Sequence, residues 1–133
     1  MKTTEFRYSG KTLHLFLNGQ AMFDLQALDA ETPEDAPDIL DRAREQTPAG
    51  FDALCAVAHV LAQQGENCRR YLKYAPNRVP GAEELRLLLS PMQLVGLRTA
   101  VFQAIHNGYT APTADDDDDI DTGLLELEKK TGA

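Results

Sequence analysis

The chain opens with two short runs rich in β-branched and aromatic residues, Thr4 to Tyr8 and Thr12 to Leu17, separated by Ser9, Gly10 and Lys11. Successive strand side chains point to opposite faces. The pattern therefore predicts a β-hairpin over 4–17, with Leu13, Leu15 and Leu17 on one face and His14 and Phe16 on the other. A lone hairpin is marginal in water, so the leucine face must pack on helices or join strands from a second copy. After Asn18-Gly19 the apolar spacing becomes helical, and Ala21, Met22, Leu25 and Leu28 predict a helix over about 20–29. Thr32-Pro33-Glu34-Asp35 combines a capping side chain, a proline suited to a first turn and two acids suited to a helix N-terminus. It predicts a short helix reaching about Gln46, whose start Ala36-Pro37 leaves open as far as Pro37.

Thr47-Pro48 repeats the start signal ahead of an apolar stripe of Phe51, Leu54, Cys55, Val57, Ala58 and Leu61, which predicts a core helix ending near Gly65. Asn67 to Tyr74 would add one or two turns, and Ala75 to Gly81, with Pro76 and Pro80, reads as a loop. From Ala82 a short helix carries Leu85, Leu88 and Leu89. Ser90-Pro91 then opens what the pattern makes the longest and central helix, with Met92, Leu94, Val95, Leu97, Ala100, Val101, Ala104 and Ile105 as a wide buried face and Asn107-Gly108 as its stop. The fold class predicted is α+β, an N-terminal hairpin packed on a mainly helical body of about four or five helices, in one globular domain over 1–108.

Residues 109–119, YTAPTADDDDD, hold no core-forming pattern and read as an acidic linker. Beyond it, in segment 120–133, Leu124, Leu125 and Leu127 predict a short helix between Ile120 and Lys130 that needs something to dock on, because about ten residues alone make a marginal helix. Charge divides along the same line. Residues 1–114 hold 11 Lys+Arg against 13 Asp+Glu and residues 115–133 hold 2 against 8, so −6 of the net −8 lies beyond Ala114. A near-neutral body with an acidic tail is the wrong sign for duplex DNA or RNA, so no nucleic-acid partner is expected. No apolar run approaches the length needed to span a bilayer and no secretory leader is evident, so no membrane partner and a cytoplasmic location are expected. Two cysteines, Cys55 and Cys68, are expected to remain thiols.

Candidate chemistry is sparse. Cys55 and His59 lie four apart on one helix face, as a thiolate and its base or two metal ligands would, yet no second pair completes a site and a buried core cysteine is the stronger reading. Asp115, Asp117, Asp119, Asp121 and Glu126 fall at the offsets of a calcium loop, but the turn position that needs glycine holds Ile120. Arg69, Arg70, Lys73 and Arg78, interleaved with Tyr71 and Tyr74, form the one basic cluster, best read as pairing with acids, the chain's own tail or a partner's. His14 and His106 have no local partners of metal-site type. No phosphate loop, dinucleotide fingerprint, nucleophile elbow or zincin motif is present. The expectation is a protein without enzymatic activity, cofactor or metal.

The stretches KTLHLFLNGQAMFDLQ, with its LxLNGxAxFDL pattern, and DIDTGLLELEKKTG carry a resemblance to the tail assembly chaperones of long-tailed bacteriophages, found also as prophage genes. Residues 30–90 contribute little to it. The resemblance implies a role in which the protein holds the long apolar helices of the tape measure protein in solution until the tail tube polymerises around them. The tail tube protein is a second implied partner, and self-association into a homo-oligomer is implied as well. The role involves binding without catalysis, so no catalytic residues carry over. Lys129-Lys130 sits where some members continue into a longer, frameshifted form. Candidate partner-binding residues are Leu13, Leu15, Leu17, Met22, Leu25, Leu28, Leu124, Leu125 and Leu127, the exposable apolar rows of hairpin, first helix and tail. The alternative is another prophage structural or connector component, or a small protein-binding adaptor.

Overall fold

A computed structural model describes residues 2–30 and 32–110. Two strands, β1 (Thr4–Tyr8) and β2 (Lys11–Leu15), pair antiparallel with Phe6 opposite Leu13 and Tyr8 opposite Lys11. The connection is two residues, Ser9 and Gly10, both at positive φ (47° and 73°), the twist that lets a right-handed hairpin close tightly. Phe16 and Leu17 leave the ladder. The Phe16 N–H instead donates to the Leu61 carbonyl at 3.1 Å, anchoring the chain directly to a helix.

Five helices complete the chain: α1 (Gly19–Leu28), α2 (Ile39–Ala43), α3 (Pro48–Tyr71), α4 (Ala82–Leu88) and α5 (Pro91–Tyr109), counted among the described residues. Four begin on side-chain caps that the local sequence supplies. Asn18 accepts from the Ala21 N–H at 2.7 Å, Asp38 from Asp41, Thr47 from Gly50, and Ser90 exchanges hydrogen bonds with Gln93 in a capping box. The hairpin on a helical body is the α+β class expected. Among the described residues no helix is long and apolar enough to cross a membrane.

The centre of the molecule is α3, not α5. At 24 residues it exceeds the 19 of α5 and packs against α1, α2, β2, α4 and α5. It runs through Gly65 without a break, although its apolar stripe stops at Leu61, because the polar residues beyond the stripe are buried with partners. Gln64 accepts from Asn18 at 3.3 Å and donates to Asp24 at 3.3 Å; Glu66 accepts from Arg69 at 2.8 Å and from the Asn77 N–H at 2.9 Å. Gly65 is there for close approach, since a Cβ would lie 1.8 Å from the His14 carbonyl oxygen of β2.

The helix predicted over about 32–46 is only Ile39–Ala43, since Pro37 disfavours helical backbone before it and Asp38 caps the single turn beyond it. The core is otherwise continuous: Leu13, Leu15 and Leu17 with Phe6 and Tyr8 from the hairpin, Leu54, Val57 and Leu61 from α3, Leu85 from α4, and Leu97 and Val101 from α5. β1 lies along α5 and β2 along α3, so the leucine face is covered by this chain's own helices.

Candidate protein-binding surface

Neither cysteine builds a reactive centre. The Cys55 side chain is buried in α3, and burial pushes its thiol up to about 11, the reverse of what a nucleophile needs. His59 is held by a 2.9 Å hydrogen bond from Nδ1 to the Pro80 carbonyl, which fixes the loop before α4. Among the described residues no three His, Cys, Asp or Glu side chains gather as metal ligands, and Asp115, Asp117, Asp119, Asp121 and Glu126 lie outside the described residues.

The basic cluster divides into two structural and two outward-facing members. Arg69 pairs with buried Glu66, donates to the Ala75 carbonyl at 3.3 Å and covers the Tyr74 ring at 5.4 Å. Arg78 is committed to Glu84 through two hydrogen bonds, one of them 2.7 Å. Arg70 and Lys73 extend outward. Lys73 has φ +74°, the left-handed position that closes α3, with the Tyr74 N–H donating to the Arg69 carbonyl at 2.9 Å and the Lys73 N–H to that of Arg70 at 3.1 Å. His14, half-buried beside this group, is driven below its ordinary pKa, first by desolvation and then by the Arg69 charge.

Of the apolar residues proposed for partner binding, Leu13, Leu15, Leu17 and Leu25 are interior, Met22 is half-buried and Leu28 is exposed. Leu124, Leu125 and Leu127 lie outside the described residues. Apolar side chains face solvent on α1, where Phe23 is 61% exposed, and again where α4 turns into α5. Leu87 is 77% and Met92 80% exposed, with Leu88 and Val95 exposed beside them. Met92 and Val95 therefore do not join the buried face of α5, nor Leu88 that of α4.

The reason is helical spacing. In α4 and its cap, Leu85 and Leu89 are four apart and both turn inward, which sends Leu87, two positions from each, outward, while Leu88 lies exposed at the margin of the inward face. In α5, Leu97, Val101, Ala104 and Ile105 form the inward row, leaving Met92 and Val95 on the opposite arc.

This corner carries both signs of charge, with Glu83 one turn before Leu87 on α4. Arg86 of α4 pairs with Asp52 at the start of α3. The preceding residue, Phe51, lies beneath the Arg98 guanidinium at 5.9 Å, and Phe102, one turn beyond Arg98, lies beneath Arg44 at 4.4 Å. Arg98 also donates to the Arg44 carbonyl at 3.4 Å. Among the described residues neither Arg44 nor Arg98 forms an ion pair. Arg44, Phe51, Arg98 and Phe102 thus form one cluster of two arginines held on aromatic rings, with Val95 three residues before Arg98 on α5 and Arg86 tying α4 to the start of α3.

The arrangement suits an apolar, acid-bearing helix or strand, with shape and charge both contributed by side chains fixed in place. No family model, curated protein or solved structure matches the chain.

Proposed function

We propose that the protein is a non-enzymatic tail assembly chaperone that binds apolar helical segments of a phage tape measure protein through the α4–α5 face. The observation that carries this reading is the joint exposure of Leu87, Leu88, Met92 and Val95 in a chain that buries its hairpin leucine row thoroughly. Large exposed apolar side chains favour association, because burying each against a partner recovers about 1.5–3 kcal/mol. The likeness of the LxLNGxAxFDL and GLLELEKKTG stretches to this family supplies the identity of the partner.

Co-expression with a phage tape measure protein tests it. The wild-type chain is expected to hold the partner in the soluble fraction and co-purify with it, and the double substitution Leu87→Asp/Met92→Asp to lose both effects while melting at the same temperature. A partner that stays insoluble beside the wild-type chain, or binds the variant equally well, contradicts the proposal. Recovery of the chain in assembled particles instead makes it a structural component.

A further inference from the structure

The α4–α5 face and the residues beyond Thr110 complement each other in chemistry. α4 and α5 expose Leu87, Leu88, Met92 and Val95, and Arg98, one turn beyond Val95, lies with Arg44 in the cluster held on Phe51 and Phe102. The sequence beyond Thr110 offers three leucines, Leu124, Leu125 and Leu127, set among acids: Asp115 to Asp119, Asp121, Glu126 and Glu128. The body exposes apolar side chains on α4 and α5, with the Arg98 guanidinium one turn beyond Val95, and the remainder of the chain has a surplus of leucine and carboxylate. We infer that the chain's own segment 121–128 docks on the α4–α5 face, its leucines on the exposed apolar side chains and its carboxylates towards Arg44 and Arg98.

Reach permits this. From Met92 to the end of α5 is about 26 Å at the helical rise of about 1.5 Å per residue, so the docking segment has to return roughly that far along α5. Between Thr110 and Leu124 the chain can extend up to about 46 Å. A tether of this length holds the leucines near the face at an effective concentration on the order of 1 mM, so even a small apolar contact is populated. Carboxylate–guanidinium pairs at the edge of an apolar patch contribute modest affinity and set orientation.

The consequence is competition. The segment shields the face in the isolated protein and gives way to a partner that binds the same side chains more tightly, which makes the tail a self-inhibitor of binding and of self-association. The inference rests on the face being a docking surface but not on which external partner uses it.

Methionine methyl NMR reads the contact in the full chain, because Met92 sits in the proposed contact and Met22 lies on α1, beside a separate cavity of about 210 Å³ lined by Leu17, Gly108 and Tyr109. The substitution Leu124→Asp/Leu125→Asp/Leu127→Asp is expected to shift the Met92 methyl signal and leave that of Met22 in place, equally at high and low protein concentration. Arg44→Gln/Arg98→Gln is expected to move Met92 part of the way in the same direction. An unmoved Met92 signal overturns the inference. So does a Met22 shift in its place, which puts the leucines in the α1 cavity, or a Met92 shift that vanishes on dilution, which makes a second copy the occupant. Because no tape measure protein enters the measurement, this result and the co-expression result stand or fall separately.

Discussion

The hairpin and the α4–α5 corner are both leucine-rich, and the fold treats them in opposite ways. Leu13, Leu15 and Leu17 alternate along a strand, and the chain lays α3 and α5 over them until Leu15 has no exposure left. Leu85, Leu87, Leu88 and Leu89 crowd a helix that can turn only part of its circumference inward, so Leu85 and Leu89 are buried and Leu87 and Leu88 are not. An apolar row is therefore not in itself a binding site. It is open to a partner only where element geometry and the neighbouring helices leave it uncovered, as at this corner.

The comparison breaks most severely at the hairpin. Leu15→Ala removes a fully buried side chain between α3 and α5 and should cost about 3 kcal/mol, read as a lower urea midpoint at unchanged slope. A loss below about 1 kcal/mol would place the hairpin outside the core.

Buried Cys55 gives the next largest effect, and its sign is set by pH. A folded value of about 11 against the ordinary 9.0 means that the thiol stays neutral in the fold while the unfolded chain ionises. The contribution is fully present below pH 9 and lost as pH rises from about 9 to about 11, up to about 3 kcal/mol at the upper end. Urea titrations of wild type and Cys55→Ala across that range should show the stability gap between them narrowing with pH. A gap that stays constant contradicts the burial of this thiol.

A gain of about 1 kcal/mol is expected for Lys73→Gly, since lysine pays a steric cost at φ +74° that glycine does not. Destabilisation there would mean that the Lys73 side chain makes a contact worth more than the strain. Smallest of all should be the stability effect of Leu87→Asp/Met92→Asp, within about 0.5 kcal/mol of wild type, because both side chains face away from the core. That near-zero value sharpens the contrast with Leu15.

Much of this architecture was legible because its determinants are local. Alternation announced the hairpin, the change of apolar spacing after Asn18 announced α1, and Thr47 and Ser90 announced two helix starts through side chains that bond to backbone groups three residues on. The extent of α3 was not legible, since Gln64 and Glu66 look like surface residues until Asn18, Asp24, Arg69 and the Asn77 backbone are brought to them from other parts of the chain. The proline-shortened α2 was readable in part from Pro37. Exposure of Leu87 was within reach of the four-residue spacing of Leu85 and Leu89, but that of Leu88, three residues after Leu85, was not. The arginine edge was not: Arg44, Phe51, Arg98 and Phe102 come from three helices and their caps, and only tertiary packing sets each guanidinium on its ring.

Amide hydrogen exchange on the protein alone and in complex with the tape measure protein addresses the central claim most directly. Protection gained on binding should concentrate in residues 86–98, with the hairpin over 4–17 already slow to exchange and unchanged. New protection confined to the hairpin or α1, with 86–98 unaffected, would contradict the assignment of the α4–α5 face as the binding surface.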